Sequence, residues 1–292
     1  MSPDRVTALA FSRSAILCVT VLAVYLAAIS ALSGVKVSRI SPELAVRLPL
    51  AAQVMLAGGD RYLAANMLGI RVLVADTFRM TPQEFDLHAE LQKDISWLNP
   101  AHEDNYYIAA AILSEPRLVP AAQEILRRAA DARPNDWSPL FYYGFNRYHI
   151  EKNPVAGADA LLEALPRARD QQDHWALQNL AAKWIERGYR ATDAARLVDS
   201  MAKSSPAGAF RRYLELRAKR LRDLDQLIGL AADYQTKFGR RLESLDQLVA
   251  AGMIRALPVD PLGAGYMLDK AGEPAFRTTG AASQKPTATQ ER

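Results

Sequence analysis

Residues 97–148 read WLNPAHEDNYYIAAAILSEPRLVPAAQEILRRAADARPNDWSPLFYYGFNRY. Two prolines in this stretch, Pro100 and Pro134, stand 34 residues apart, within the turn signals Asn99-Pro100 and Arg133-Pro134-Asn135. Each is trailed by an aromatic-rich helical run, NYYIAAAIL after the first and WSPLFYYGFNRY after the second. Outward from here the chain reads helix after helix, with almost no alternating β-branched run before residue 250, so the expected class is all-α. A recurrence of this length marks a stack of two-helix units, since one such unit cannot bury its apolar face alone.

Units framed as 69–102, 103–136, 137–170 and, after a four-residue slip, 175–208 align four sets of positions. Asp76, Ala110, Gly144 and Ala182 fall at a first helix crossing, and His88, Ala122, Ala156 and Ala194 at the small position of the second helix. A later small position holds Ile95, Ala129, Glu163 and Met201, and the closing position holds Pro100, Pro134, Ala168 and Pro206. Small residues matter there because packed helix axes lie about 8–10 Å apart.

This pattern resembles the tetratricopeptide repeat, a 34-residue helix-turn-helix unit closed by proline. The second unit matches best. Asp76, His88, Glu163 and Ala168 depart from the pattern, which leaves irregular packing or different helix boundaries open for the first and third units. A non-repetitive Ala-rich bundle is the alternative. The resemblance implies a groove lined by first helices, at Tyr107, Phe141, Phe145, Tyr148 and His149, then Asn179, Lys183 and Arg187. Aromatics grading into basic and amide groups suit a protein partner presenting a peptide with an apolar anchor and an acidic or carboxylate end. The same aromatics at helical spacing also read as core, where Leu140 and Tyr143 are placed.

From Ser14 to Val35 the chain carries no charge, SAILCVTVLAVYLAAISALSGV. As a helix these residues would reach roughly 33 Å, enough to span a bilayer, so 14–35 is expected to be a single transmembrane anchor after a short tail, 1–13. A cleaved signal peptide, with Arg5 and Arg13 ahead of it and Ala28-Ile29-Ser30 near a cleavage site, is the rival, and a buried core helix a third reading. Short tail, one span and long C-terminal domain form the layout of a bacterial signal anchor, which places the bulk of the chain in the periplasm at the inner membrane. Lys36, Arg39 and Arg47 follow the span and favour the cytoplasmic alternative. Cys18, the lone cysteine, excludes an intramolecular disulfide, and Leu17 before it argues against lipidation.

Residues 36–68 read as membrane-proximal helices, with Pro49 as a kink and Gly58-Gly59 as a break, ahead of a repeat domain over 69–230. Its last helix, 210–230, lines up Phe210, Leu214, Leu221, Leu224 and Ile228 on one face and caps the stack. The cluster Arg211, Arg212, Arg217, Lys219, Arg220 and Arg222 reads as a solvated face balanced by Glu215, Asp223 and Asp225, in preference to a phosphate or headgroup patch. Residues 231–280 change character: a short helix with Leu245, Leu248 and Val249 ending near Gly252, a turn over Pro258–Pro261, and two strands meeting across Lys270–Glu273. Tyr234, Gly239, Leu245, Leu248, Gly252, Leu257-Pro258, Asp260-Pro261, Gly263 and Tyr266 resemble the C-terminal portion of type II secretion pseudopilins over about 40 residues. No prepilin cleavage motif lies in Ser2–Arg13, so the likeness implies a shared local fold and not pilus assembly. Residues 281–292 read as a disordered tail.

The 292 residues are 50% apolar and carry 36 Lys+Arg against 32 Asp+Glu, a spread charge of +4 that gives no argument for nucleic acid. His88, His102, His149 and His174 fall at no metal-ligand spacing, and no phosphate loop or nucleophile elbow is present, so neither metal nor cofactor is expected. The expected function is a non-enzymatic membrane-anchored scaffold that assembles an envelope complex for secretion, pilus or polysaccharide. An envelope enzyme with a site around Asp260 and His149 is the alternative from another class, although Asp260 before proline reads first as a turn-former.

Overall fold

The computed structural model describes residues 18–30, 46–263 and 265–277. The chain divides after Val46 into two units. In the first, residues 18–30 are helical (α1) and exposed. Among the described residues no helix is long and apolar enough to cross a membrane. The expected anchor, 14–35, runs past the described residues at both ends, and the tails 1–13 and 281–292 lie outside them.

The second unit is mostly helical. It comprises α2 (Leu50–Leu56), α3 (Arg61–Val74), α4 (Pro82–Leu98), α5 (Glu103–Ile112), α6 (Val119–Ala132), α7 (Ser138–His149), α8 (Pro154–Ala164), α9 (Gln171–Gly188), α10 (Ala191–Ser204), α11 (Ala209–Phe238) and α12 (Asp246–Ala250), then β1 (Tyr266–Leu268) and β2 (Pro274–Phe276). The pairs α3/α4, α5/α6, α7/α8 and α9/α10 follow one another, and contacts run mainly between neighbouring helices. Local chemistry sets the starts. Asp60 accepts from the Tyr62 and Leu63 amides, Thr81 and Glu84 form a reciprocal capping box ahead of α4, and Asn153 and Asp170 cap α8 and α9. α11 stops at Gly239, whose φ of +67° is left-handed.

The departures noted in the first and third units have physical reasons. In the third, the second helix is displaced by one residue: Ala156 is only half-buried and Glu163 is exposed, whereas Gly157 and Ala164 are buried. Gly157 and Ala164 keep the seven-residue spacing of Ala122 and Ala129, so the period here is 35 and not 34. The shift is already present at the start of α7, which begins 35 residues after α5 as α8 does after α6; the extra residue lies ahead of it, in the α6–α7 connection 133–137, one residue longer than 99–102 between α4 and α5. In the short α7–α8 turn Lys152 takes a φ of 56° and its ammonium caps the His149 carbonyl. Glu163 instead pairs with Arg127 at 2.9 Å. A Cβ on Gly144 would stand 2.9 Å from the Gly157 carbonyl, which is why this crossing takes two glycines.

In the first unit, the leading helix is α3, which runs across the boundary placed at 68/69, and Asp76 lies beyond its end. His88 is fully buried in place of a small residue, its ring hydrogen-bonded to the Val72 carbonyl at the end of α3. At the other end, α11 runs for 30 residues and crosses the 230/231 boundary. It carries the C-terminal module through a cluster of Leu224, Leu227, Ala231 and Tyr234 against Leu242, Leu245, Leu248 and Tyr266. The strands pair antiparallel, Met267 opposite Ala275, around Gly272 at φ +82°.

Candidate functional site

Three consecutive leading helices, α5, α7 and α9, carry the eight residues expected to line a binding surface. Tyr107, Phe145, His149, Lys183 and Arg187 are exposed, and Phe141, Tyr148 and Asn179 are half-buried. Helical spacing explains the grouping, since 141, 145, 148 and 149 share one face of α7, and 179, 183 and 187 recur every four residues on α9.

The rings form a connected ribbon. Tyr107 meets Tyr142 edge-on at 5.9 Å between centroids, Tyr142 meets Phe141 at 5.2 Å, and Phe141 lies 6.4 Å from Phe145. Phe145 leads to His149 at 4.3 Å, and Tyr148 stacks on Trp184 at 4.5 Å with planes 15° apart. Arg187 donates to the Tyr148 hydroxyl, which joins α9 to α7. On the far side, the Tyr213 hydroxyl of α11 donates to Asn179 Oδ1 at 3.2 Å. The division between core and surface therefore falls within the set. Phe141 and Tyr148 pack against the main hydrophobic cluster, whereas Tyr107, Phe145 and His149 form the outer edge.

This edge is electropositive. Burial lowers the His149 imidazole from its ordinary range, and the charges of Lys152 and Arg187 lower it further. An acidic group brought here would reverse the second cause. Sequence reasoning missed Tyr142 and Trp184, which connect the ribbon, and Trp175, which packs on Phe210 at 5.7 Å. The signal for Trp175 was available, because it continues the 179, 183, 187 series one turn earlier.

The alternative pair, Asp260 and His149, is not brought together by any hydrogen bond or ion pair among the described residues. Asp260 is buried and accepts from Arg220 Nε at 3.1 Å and from the Leu262 and Gly265 amides at 2.9 and 2.8 Å. Arg217 and Arg220, expected on a solvated face, are buried as well. Arg217 grips Glu186 in a fork, both distances 2.8 Å, and Arg220 lies 3.9 Å from the same carboxylate and over the Phe276 ring. The reason lies in α11's length: its basic face meets α9 and the C-terminal module before it meets water. Burial and the charge of Asp260 push the Glu186 carboxyl upward against the pull of the two arginines.

Among the described residues no group of three or more His, Cys, Asp or Glu could hold a metal ion. Comparison of the chain with protein-family models, with curated proteins and with solved structures found no significant match.

Proposed function

We propose that the protein is a non-enzymatic scaffold of tetratricopeptide-like helix pairs, anchored by residues 14–35 in the bacterial inner membrane, that holds a segment of a protein partner for envelope assembly. The observation that carries this reading is the ribbon itself. Exposed Tyr107 and Phe145 are joined through half-buried Tyr142 and Phe141, and the ribbon leads on through His149 and Tyr148 to Arg187, with exposed Lys183 one turn earlier on α9. Buried ring surface supplies affinity and the basic end supplies polarity of docking, so the fitting ligand is a short segment with an aromatic or aliphatic anchor followed by carboxylates. The bulk of the chain is placed in the periplasm.

Panning the full chain, held in detergent micelles, against a random peptide library should enrich such segments. Phe145→Ala with Tyr107→Ala should weaken binding of enriched peptides at least tenfold; both side chains also pack on neighbouring rings, so a lower thermal midpoint is expected with it, and an unchanged circular dichroism spectrum at the binding temperature separates lost binding from lost fold. Lys183→Glu should select against the acidic end. Enrichment indifferent to all three changes would remove this surface from the proposal.

A further inference from the structure

Helix α3 has two apolar faces. Ala64, Ala65, Leu68 and Val72 are buried on one side. On the opposite side Leu63, Met67, Ile70 and Val74, spaced 4, 3 and 4 residues apart, are 47–63% exposed, with Leu73 beside them at 67%. α2 adds exposed Met55 and Leu56, and the turn after α3 presents Phe78 at 100% exposure next to Arg79. α3 itself contains no acidic residue.

A stack of helix pairs in water needs a polar outer face at each end. α11 provides one at the C-terminal end, with Arg212, Glu215, Lys219 and Arg222 exposed. α2 and α3 provide the reverse at the N-terminal end, a patch that belongs against another apolar phase.

We infer that this face of α2 and α3 is seated in the headgroup–acyl boundary of a lipid bilayer. The proposal rests on the reading of 14–35 as a membrane anchor, and chain length makes the connection. About fifteen residues separate Val35 from Leu50, a reach of at most about 50 Å, so the face is tethered at the membrane surface whatever the partner concentration. The chemistry agrees. α3's 14 residues extend about 21 Å, too short to cross and suited to lie in the plane. Met and aliphatic side chains fill the stripe, and Tyr62 and Phe78 stand at its ends as the aromatic residues of an interfacial helix, while Arg61, which donates to the Leu98 carbonyl, and Arg79, paired with Asp76, leave the rim polar and close to neutral. A second copy of the chain could cover the same patch, and the test separates the two.

Cys18, the lone cysteine, is removed as Cys18→Ser. Single nitroxides are then placed through Ile70→Cys, Phe78→Cys, Tyr25→Cys and Arg196→Cys in the full chain, reconstituted in phosphatidylcholine–phosphatidylglycerol vesicles. All four positions are exposed, and an unchanged circular dichroism spectrum certifies each fold. Collisions with oxygen report lipid, and collisions with a water-soluble nickel chelate report solvent. Positions 70 and 78 should favour oxygen over nickel at least threefold relative to position 196. Nickel access at 70 and 78 equal to that at 196 would overturn the proposal, as would protection from both reagents, which signifies a protein cover. Position 25 tests the anchor separately. Lipid contact at 25 but not at 70 and 78 sinks the proposal and keeps the anchor. Lipid contact at 70 and 78 but not at 25 supports the proposal and removes the anchor.

Discussion

His88 sits fully buried where the repeat pattern calls for a small side chain, and its two ring nitrogens settle its form. Nε2 lies 3.2 Å from the Val72 carbonyl and must donate, while Nδ1 accepts from Gln92 Nε2 at 2.9 Å. That is the neutral imidazole, and burial lowers its pKa against the raising effect of the Val72 carbonyl. The sign of the linkage follows. The unfolded chain takes up a proton below about pH 6.5 and the folded chain resists it, so stability is full above that pH and falls as pH drops below it. The urea midpoint should decrease from pH 7.5 to 5, and His88→Gln should flatten the part of that slope due to this ring. An unchanged slope in the variant would assign it elsewhere. The glycines allow an opposed pair of predictions. A Cβ at Gly157 would stand 2.9 Å from the Tyr148 Cβ and 3.1 Å from the Gly144 carbonyl and Trp184, so Gly157→Ala should cost about 1–3 kcal/mol despite better helix propensity. Gly229, also helical, has nothing within 4 Å, and Gly229→Ala should stabilise by up to about 1 kcal/mol. Thermal midpoints moving the same way in both variants would refute the close-crossing argument. Sequence spacing located Gly144 but missed Gly157 by one residue, because a fixed 34-residue ruler carries no information about a connection between units, 133–137, that is one residue longer than the one before it.

α11 shows where pattern reading stops at the level of elements. Its apolar stripe was legible over 210–230, and Leu214, Leu221 and Leu224 are buried as the stripe requires. Its basic residues were not separable by sequence, since Arg217 and Arg220 share composition and spacing with exposed Lys219 and Arg222. What distinguishes them is a pair of carboxylates from elsewhere: Glu186 on α9 and Asp260 in the turn before β1. Asp260 was legible as a turn-former, and it does hold the Leu262 and Gly265 amides, but its ion pair is a tertiary fact. Removing one member of a buried pair leaves the other charge without compensation, at a cost of about 3–5 kcal/mol. Because Glu186 lies 3.9 Å from Arg220 and offers a partial substitute, Asp260→Ala should fall at the lower end of that range. Asp260→Asn, which keeps an acceptor oxygen, should cost less. Chemical denaturation measures the cost. Limited proteolysis should show earlier cleavage over residues 253–265 in Asp260→Ala than in wild type, and equal cleavage would mean that the apolar cluster under Leu248 and Tyr266 holds the module without the ion pair.

At the scale of the whole second unit, contacts run mainly between sequence neighbours, so stability should behave as a sum over adjoining pairs. The buried residues support this. One cluster gathers Ala89, Tyr106, Leu113, Ile125 and Leu126 from α4 to α6, and another gathers Leu140, Leu161, Leu177, Ile185, Val198, Leu214 and Leu221 from α7 to α11. They meet along α6, where Ala129 belongs to the first and Ala130 to the second. Polar clamps cross the same junction: Arg133 bonds Asp136, Glu103 and the Ala101 carbonyl, and Arg167 bonds the Ala130 carbonyl. The clamps are partly exposed and add little energy, so the clusters decide how far a defect spreads. Leu126→Ala removes a fully buried side chain from the first cluster, a loss of about 2–5 kcal/mol. Hydrogen exchange on the full chain should then show protection falling most over α4 to α7, less over α8 and α9, and least over α10, α11 and the β-hairpin. The mirror variant, Leu221→Ala, should reverse that order, because Leu221 belongs to the other cluster. A uniform drop across residues 47–277 in both variants would show that the helix pairs open only together. The neighbour-by-neighbour account of the stack would then give way to one global transition.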